Sequence, residues 1–312
     1  MSTRPVASVS PLPDTALELW LIDLDEMAGP LSAAEADCAR LSPDEEERAC
    51  VIPAPAARQR WRNAHIALRL LLERWGGAGL RTQPFEVASG GRPWLPAPAP
   101  HFSLSHAGSL ALVGLTRIAP LGVDIEPVSA RAMPAERRAR IVNFANEISG
   151  GVGLKHLDGR PLDASGVSLM EMDDAAFIQA WCRVEAFAKA DGRGLLAVLY
   201  AAGVMGPAGK PGAGAMRSGS ALIEGRNSVQ GASHGVCSHL ERSAARRFLG
   251  VRTWDVPLGA EGAGYRAAVA LARGARISSD ALVPQLLVDL EAAGAPLMRQ
   301  AAFVLSPPHD GG

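Results

Sequence analysis

The chain has 312 residues, 48 % of them apolar, enough for one large core or two ordinary ones. It contains no apolar run long enough to span a bilayer, and residues 1–14 lack the apolar centre of a signal peptide, so a soluble cytoplasmic protein is expected. With 31 basic and 32 acidic side chains there is no whole-chain footprint for nucleic acid, and any anion site must be a local cluster.

Residues 1–15 carry no periodic pattern and are expected to be disordered. The run ELWLIDL (18–24) alternates as a strand, with Leu19 and Leu21 opposite Trp20, Ile22 and Leu24. Ser42-Pro43-Asp44-Glu45 starts a helix: a Ser cap, Pro in the first turn and Glu three residues after the cap. A long helix follows over 55–75. Trp61, Ala64, Leu68, Leu71, Leu72 and Trp75 form its apolar stripe, and Arg58, Arg62, His65 and Arg69 form a basic stripe beside it. That basic stripe is either a solvated face or a phosphate site. Between 101 and 128 the runs HFSLS, LALVGLT and LGVDIEPV read as strands. A polar helix is expected over 132–148, a Gly-rich loop over 150–167 and a strong helix over 174–190, stopped by Asp191-Gly192-Arg193-Gly194. Residues 203–243, rich in Gly, Ala and Ser, read as an insertion. Strands resume at 251–256 and 265–271, and the tail from 276 carries one expected helix, 280–293. Cys38, Cys50, Cys182 and Cys237 are spaced for neither a disulfide framework nor a zinc site and are expected to be reduced thiols.

Three constellations carry chemistry. In Leu121-Gly122-Val123-Asp124-Ile125-Glu126, strand alternation sends the apolar residues one way and Asp124 and Glu126 the other. Two carboxylates about 4 Å apart repel by roughly 4 kcal/mol near a protein surface, and a divalent ion reverses that sign. Oxygen ligands of this kind suit Mg²⁺. In FIQAWCRVEAFAKADGRG (177–194), Glu185 and Lys189 lie one helical turn apart. They are either a simple ion pair or a third metal carboxylate with a cation for phosphate. Lastly, Gly91-Arg92-Pro93 precedes Phe102-Ser103-Leu104-Ser105-His106, a Ser-His pair able to offer donors to a phosphate. A Ser-His-Asp hydrolase is poorly supported, because the G-x-S-x-G elbow is missing.

Taken in order, R-P-x-L, H-F-S-L-S-H, G-V-D-I-E and W-C-R-V-E-A-F-A-K-A-D-G-R-G-L resemble the 4′-phosphopantetheinyl transferases of the surfactin-synthetase type. That family shows G-K-P, F-N-x-S-H, G-x-D-x-E and W-x-x-K-E-A-x-x-K-x-x-G-x-G, and the match runs from about Gly91 to Leu195. The resemblance implies an α+β fold, a pseudo-dimer of two similar lobes with the active site in the cleft between them. Lobes are expected over 16–125 and 126–275. Asp124, Glu126 and Glu185 would then bind Mg²⁺, with Glu185 arriving from the second lobe. Arg92, Ser105, His106 and Lys189 would contact coenzyme A, and Glu185, Lys189 and His106 would be the catalytic groups. The implied partner is an apo acyl or peptidyl carrier protein, and two lobes in one chain make a monomer sufficient.

The sequence departs from the family at three places. Val184 stands where a Lys precedes the helix Glu, with Arg183 pointing about 100° away. Ser103 stands for Asn. Ile66 stands where the long helix often has Arg, which turns attention to Arg62 and Arg69 as phosphate ligands. The span from Asp124 to Trp181 is also longer than usual. Other readings stay open: a member that binds coenzyme A or a carrier without catalysis, a metal-dependent phosphohydrolase, or an interaction protein. The identity of the carrier is not encoded in any of these motifs.

Overall fold

The computed structural model describes residues 16–129, 131–149, 173–205 and 250–272, and the backbone of 285–286 and 303–304. The expected disordered N-terminus, the 150–167 loop, Cys237 and all of the 203–243 insertion beyond residue 205 lie outside the described residues. The architecture is mixed α+β. It consists of β1 (Ala16–Asp23), α1 (Ala28–Asp37), α2 (Pro43–Cys50), α3 (Pro55–Gly76), β2 (Glu86–Val87), β3 (Pro93–Trp94), β4 (His101–Ala107), β5 (Leu110–Thr116), β6 (Leu121–Pro127), α4 (Ala135–Ile148), α5 (Asp174–Asp191), α6 (Leu195–Ala201), β7 (Val251–Asp255), β8 (Tyr265–Ala272), β9 (Gln285–Leu286) and β10 (Phe303–Val304). No described helix is long and apolar enough to cross a membrane.

Two sheets, antiparallel except for β9, share a core. In the first, β5 lies between β1 and β4, and β9 and β10 add to the other edge of β1. The second runs β6-β8-β7. Period-two alternation makes each strand serve two layers. Leu17, Leu19, Leu21, Leu110 and Leu112 of the first sheet meet Leu121, Val123, Ile125, Ala267, Val269 and Leu271 of the second. On the outer face of the first sheet, Trp20, Ile22, Ala111, Val113 and Leu115 pack on the α3 stripe of Ala64, Leu68, Leu71 and Leu72. On the outer face of the second, Ala268 and Ala270 pack beneath α4 and α5, where Phe144 meets Phe187 edge-on. The result is a helix–sheet–sheet–helix stack.

Three expectations change. The lobe boundary drawn after residue 125 would cut β6, which pairs with β8 over its whole length, so Asp124 and Glu126 both belong to the second sheet. Within the helix expected over 280–293, Gln285–Leu286 instead forms a strand parallel to β1 at Trp20 and Leu21. In the sequence, Pro284 disfavours a continuous helix, and Val283 and Val288 are β-branched. Helices α1 and α6 escape sequence reading: only Leu31 of α1 is buried, and α6 spans just seven residues.

Candidate metal centre

The site begins with an unusually close approach of α5 to β6. A Cβ on Gly122 would lie 2.0 Å from the Ala186 carbonyl oxygen and 2.7 Å from the Lys189 Cβ. The bare glycine therefore lets the helix lie directly on the strand, bringing Glu185 and Lys189 over Asp124 and Glu126. Overpacking here has no flexible side chain to displace. G122A should cost about 1–3 kcal/mol of stability and weaken any divalent-ion binding at the three carboxylates together with it. Equilibrium unfolding and a Mg²⁺ titration check this; an unchanged variant would contradict the assigned packing.

Asp124, Glu126 and Glu185 are all buried, and one carboxylate oxygen from each lies within 4.8 Å of the others. Asp124 Oδ1 accepts hydrogen bonds from Ser105 Oγ (2.8 Å) and from Lys189 Nζ (2.8 Å). Lys189 also donates to the Val123 carbonyl at 2.9 Å, leaving one of its three ammonium donors. Glu126 Oε2 is paired with Arg131 Nη2 at 2.7 Å. Asp124 Oδ2 and Glu185 Oε1 are buried with no hydrogen-bond partner. An unsatisfied buried carboxylate oxygen costs at least about 1–3 kcal/mol, and a cluster of three carboxylates with two such oxygens could hold a cation. An all-oxygen donor set fits a hard divalent ion such as Mg²⁺.

The electrostatics agree. Burial, and then the charge of Asp124, push the Glu185 carboxyl up to about 8. Burial and Asp124 also raise Glu126. Burial acts to lower Lys189, but Asp124 and Glu185 outweigh it and hold the ammonium above its ordinary value. A carboxyl whose folded pKa is raised contributes stability that is full below about 4.5 and is lost as pH rises through about 8. A divalent ion must displace that proton. Its apparent affinity should rise about tenfold per pH unit below this point. Mg²⁺ titrations at several pH values check the slope; an affinity independent of pH would contradict it.

The other expected site residues divide. Ser105 reaches the centre from β4, and its neighbour Ser103 accepts from the Val123 N–H at 3.0 Å, stitching the edges of the two sheets together. By alternation His106 lies on the opposite face of β4, with Phe102 and Leu104. Burial, then His65 and Lys189, press its imidazole down to about 4. In the free chain it is therefore a neutral imidazole, still able to act as the expected donor. Arg92 is half-buried at the end of α5, where Nη1 donates to the Ala190 carbonyl at 3.1 Å, a favourable place for a cation. It is held there because Gly90 abuts Gly192: a Cβ on Gly90 would lie 1.9 Å from the Gly192 oxygen.

Arg69 is a correction, and Arg62 has an acidic partner. Three members of the basic stripe of α3 meet the acidic first turn of α2, while Arg58 donates to the Ile52 carbonyl. Arg62 pairs with Glu46. Arg69, wholly buried, binds Glu45 Oε2 at 2.7 Å, donates to the Gln83 carbonyl at 2.6 Å and lies 3.7 Å over the Phe85 ring. His65 Nδ1 donates to Glu45 Oε1 at 2.9 Å. Arg69 thus offers no exposed donor to a phosphate. Val184 is buried in the α4–α5 core, and Arg183 binds Asp255 through two hydrogen bonds of 2.6 and 2.5 Å, so neither supplies the missing cation. The cation that does lie beside the carboxylates is Arg131, paired with Glu126, and sequence reading missed it. It lies five residues beyond Glu126 in irregular backbone, where periodicity carries no signal.

No protein-family model matches the chain, and no curated protein matches it.

Proposed function

We propose that the chain transfers the 4′-phosphopantetheine group of coenzyme A to a serine of an apo carrier protein, with Mg²⁺ held by Asp124, Glu126 and Glu185. The observation that carries this reading is the pair of buried carboxylate oxygens without partners, Asp124 Oδ2 and Glu185 Oε1, flanked by Lys189. It gains support from the ordered motifs around Arg92, Ser105-His106, Asp124-x-Glu126 and Glu185-x-x-x-Lys189, which resemble the phosphopantetheinyl transferases. The two sheet-and-helix layers suit the two-lobed arrangement of that family, with the site at the seam where Ser105 of β4 meets β6.

When bound, Mg²⁺ supplies charge neutralisation for the diphosphate of coenzyme A. The residues of the chain supply the rest. Ser105 and Lys189 hold Asp124 by one oxygen and so aim the other. The remaining donor of Lys189 reaches for a phosphate oxygen, and neutral His106 offers a hydrogen bond from the same end of β4. The serine oxygen of the carrier attacks the phosphorus bearing the pantetheine arm. The bond from that phosphorus to the oxygen of adenosine 3′,5′-bisphosphate breaks, and Glu185 takes the serine proton. Such a reaction asks the protein mainly for positioning and charge neutralisation.

Calorimetry with coenzyme A, with and without Mg²⁺, tests the reading at the level of binding. Binding that requires Mg²⁺ is expected. Its absence would overturn the proposal, and cleavage of coenzyme A with no carrier present would favour a phosphohydrolase instead.

A further inference from the structure

We infer that Arg131 is the second anion-binding cation of this centre, making the contact to the substrate diphosphate that position 184 cannot make; the inference rests on the transferase reading above. Along α5, Trp181, Glu185 and Lys189 follow one another at intervals of one turn and share a face. Lys189 lies on the C-terminal side of Glu185. On the N-terminal side, the Arg131 guanidinium lies 5.5 Å from the Trp181 ring centroid, while its Nη2 binds Glu126 Oε2 at 2.7 Å. Two cations thus bracket the three carboxylates, one from the helix and one from the segment after β6. Both press on Glu126 and Glu185, countering the effect of burial.

A guanidinium carries five donors in a planar fork, more than one carboxylate can use. A divalent ion that takes up the charge of Glu126 weakens the hold of that carboxylate on Arg131 and frees the fork for phosphate oxygens, which it matches in two-pronged fashion. Three carboxylates, two side-chain cations and a divalent ion leave one net positive charge for a polyanion. Without Arg131 the balance is zero. The Trp181 face keeps the guanidinium in place as its partner changes.

The test is R131Q with R131K beside it. Each is measured by calorimetry for Mg²⁺ alone and for coenzyme A in saturating Mg²⁺, with melting temperature as a folding control. R131Q should bind coenzyme A about tenfold or more weakly, as for loss of one charge-assisted contact. It should bind Mg²⁺ at least as tightly as the parent, because the cation competing for Glu126 is gone. R131K should recover part of the coenzyme A affinity. Equal weakening of both ligands with a lowered melting temperature would make Arg131 merely structural and overturn the inference. So would undiminished coenzyme A binding in R131Q when the parent binds. Failure of the parent to bind coenzyme A in Mg²⁺ would overturn the transferase reading, and this inference with it.

Discussion

Replacing Asp124 with Asn should abolish phosphopantetheine transfer while the chain stays folded. Asn keeps the shape of Asp and an oxygen able to accept from Ser105 Oγ and Lys189 Nζ, the two groups now bonded to Oδ1. It replaces Oδ2, which has no partner, with an amide that cannot ligate a cation. One carboxylate fewer also relieves the repulsion that, after burial, holds Glu185 up near about 8. The variant should thus lose Mg²⁺ binding without losing stability, because a costly like-charge cluster has been eased. Loss of a centrally placed electrostatic group of this kind is worth about 100-fold or more in rate. Initial rates of carrier modification and a thermal melt give the two readouts. A rate within a few-fold of the parent would remove Asp124 from the centre.

The largest expected loss of stability lies elsewhere, at Glu45. This carboxylate joins α2 to α3: it closes the capping box with Ser42 and accepts from His65 and Arg69, all away from water. Burial alone would raise its pKa, but the hydrogen bonds from His65 and Arg69 outweigh burial and hold it at about 2. In E45A the Arg69 guanidinium is left buried without a countercharge, a change that costs about 3–5 kcal/mol. The linkage has a definite sign. A depressed folded pKa gives stability that is present above about 4.5 and is lost as pH falls towards about 2. Chemical denaturation of parent and E45A, at neutral pH and in acid, checks both parts. The difference between the two proteins should shrink in acid. A gap that does not change with pH would contradict the buried pair, and a small gap at neutral pH would mean that Arg69 finds another partner.

The same region shows how far the sequence speaks for itself. Periodicity located α3 and α5 to within a residue or two because each lays a long apolar stripe on a sheet. Short apolar-rich runs located β4 to β6, and alternation put Asp124 and Glu126 on one face, since that inference needs only the strand itself. What alternation cannot say is which sheet a strand joins. β6 faces both cores, so the boundary at 125 was set by the expected lobes and not by any local signal. The basic stripe on α3 was visible, but its partner was not. Whether Arg69 meets a phosphate or Glu45 depends on how α2 folds back, a contact between residues 24 positions apart. Arg131 is the sharpest case. Nothing in its neighbourhood marks it, and it acquires a role only when the segment after β6 crosses Trp181 of α5. The metal carboxylates were therefore legible one element at a time, whereas the cations around them depend on long-range packing.

Carrier mass tests the central claim most directly. The chain would be incubated with coenzyme A, Mg²⁺ and each of a panel of apo fatty-acid, polyketide and peptide-synthetase carriers, and the carriers weighed by intact mass spectrometry. The account predicts that at least one carrier gains the mass of a single phosphopantetheine, only when Mg²⁺ is present and not with D124N. No gain on any carrier, from a chain that binds coenzyme A in Mg²⁺, would contradict transfer and leave a protein that holds the cofactor without passing it on.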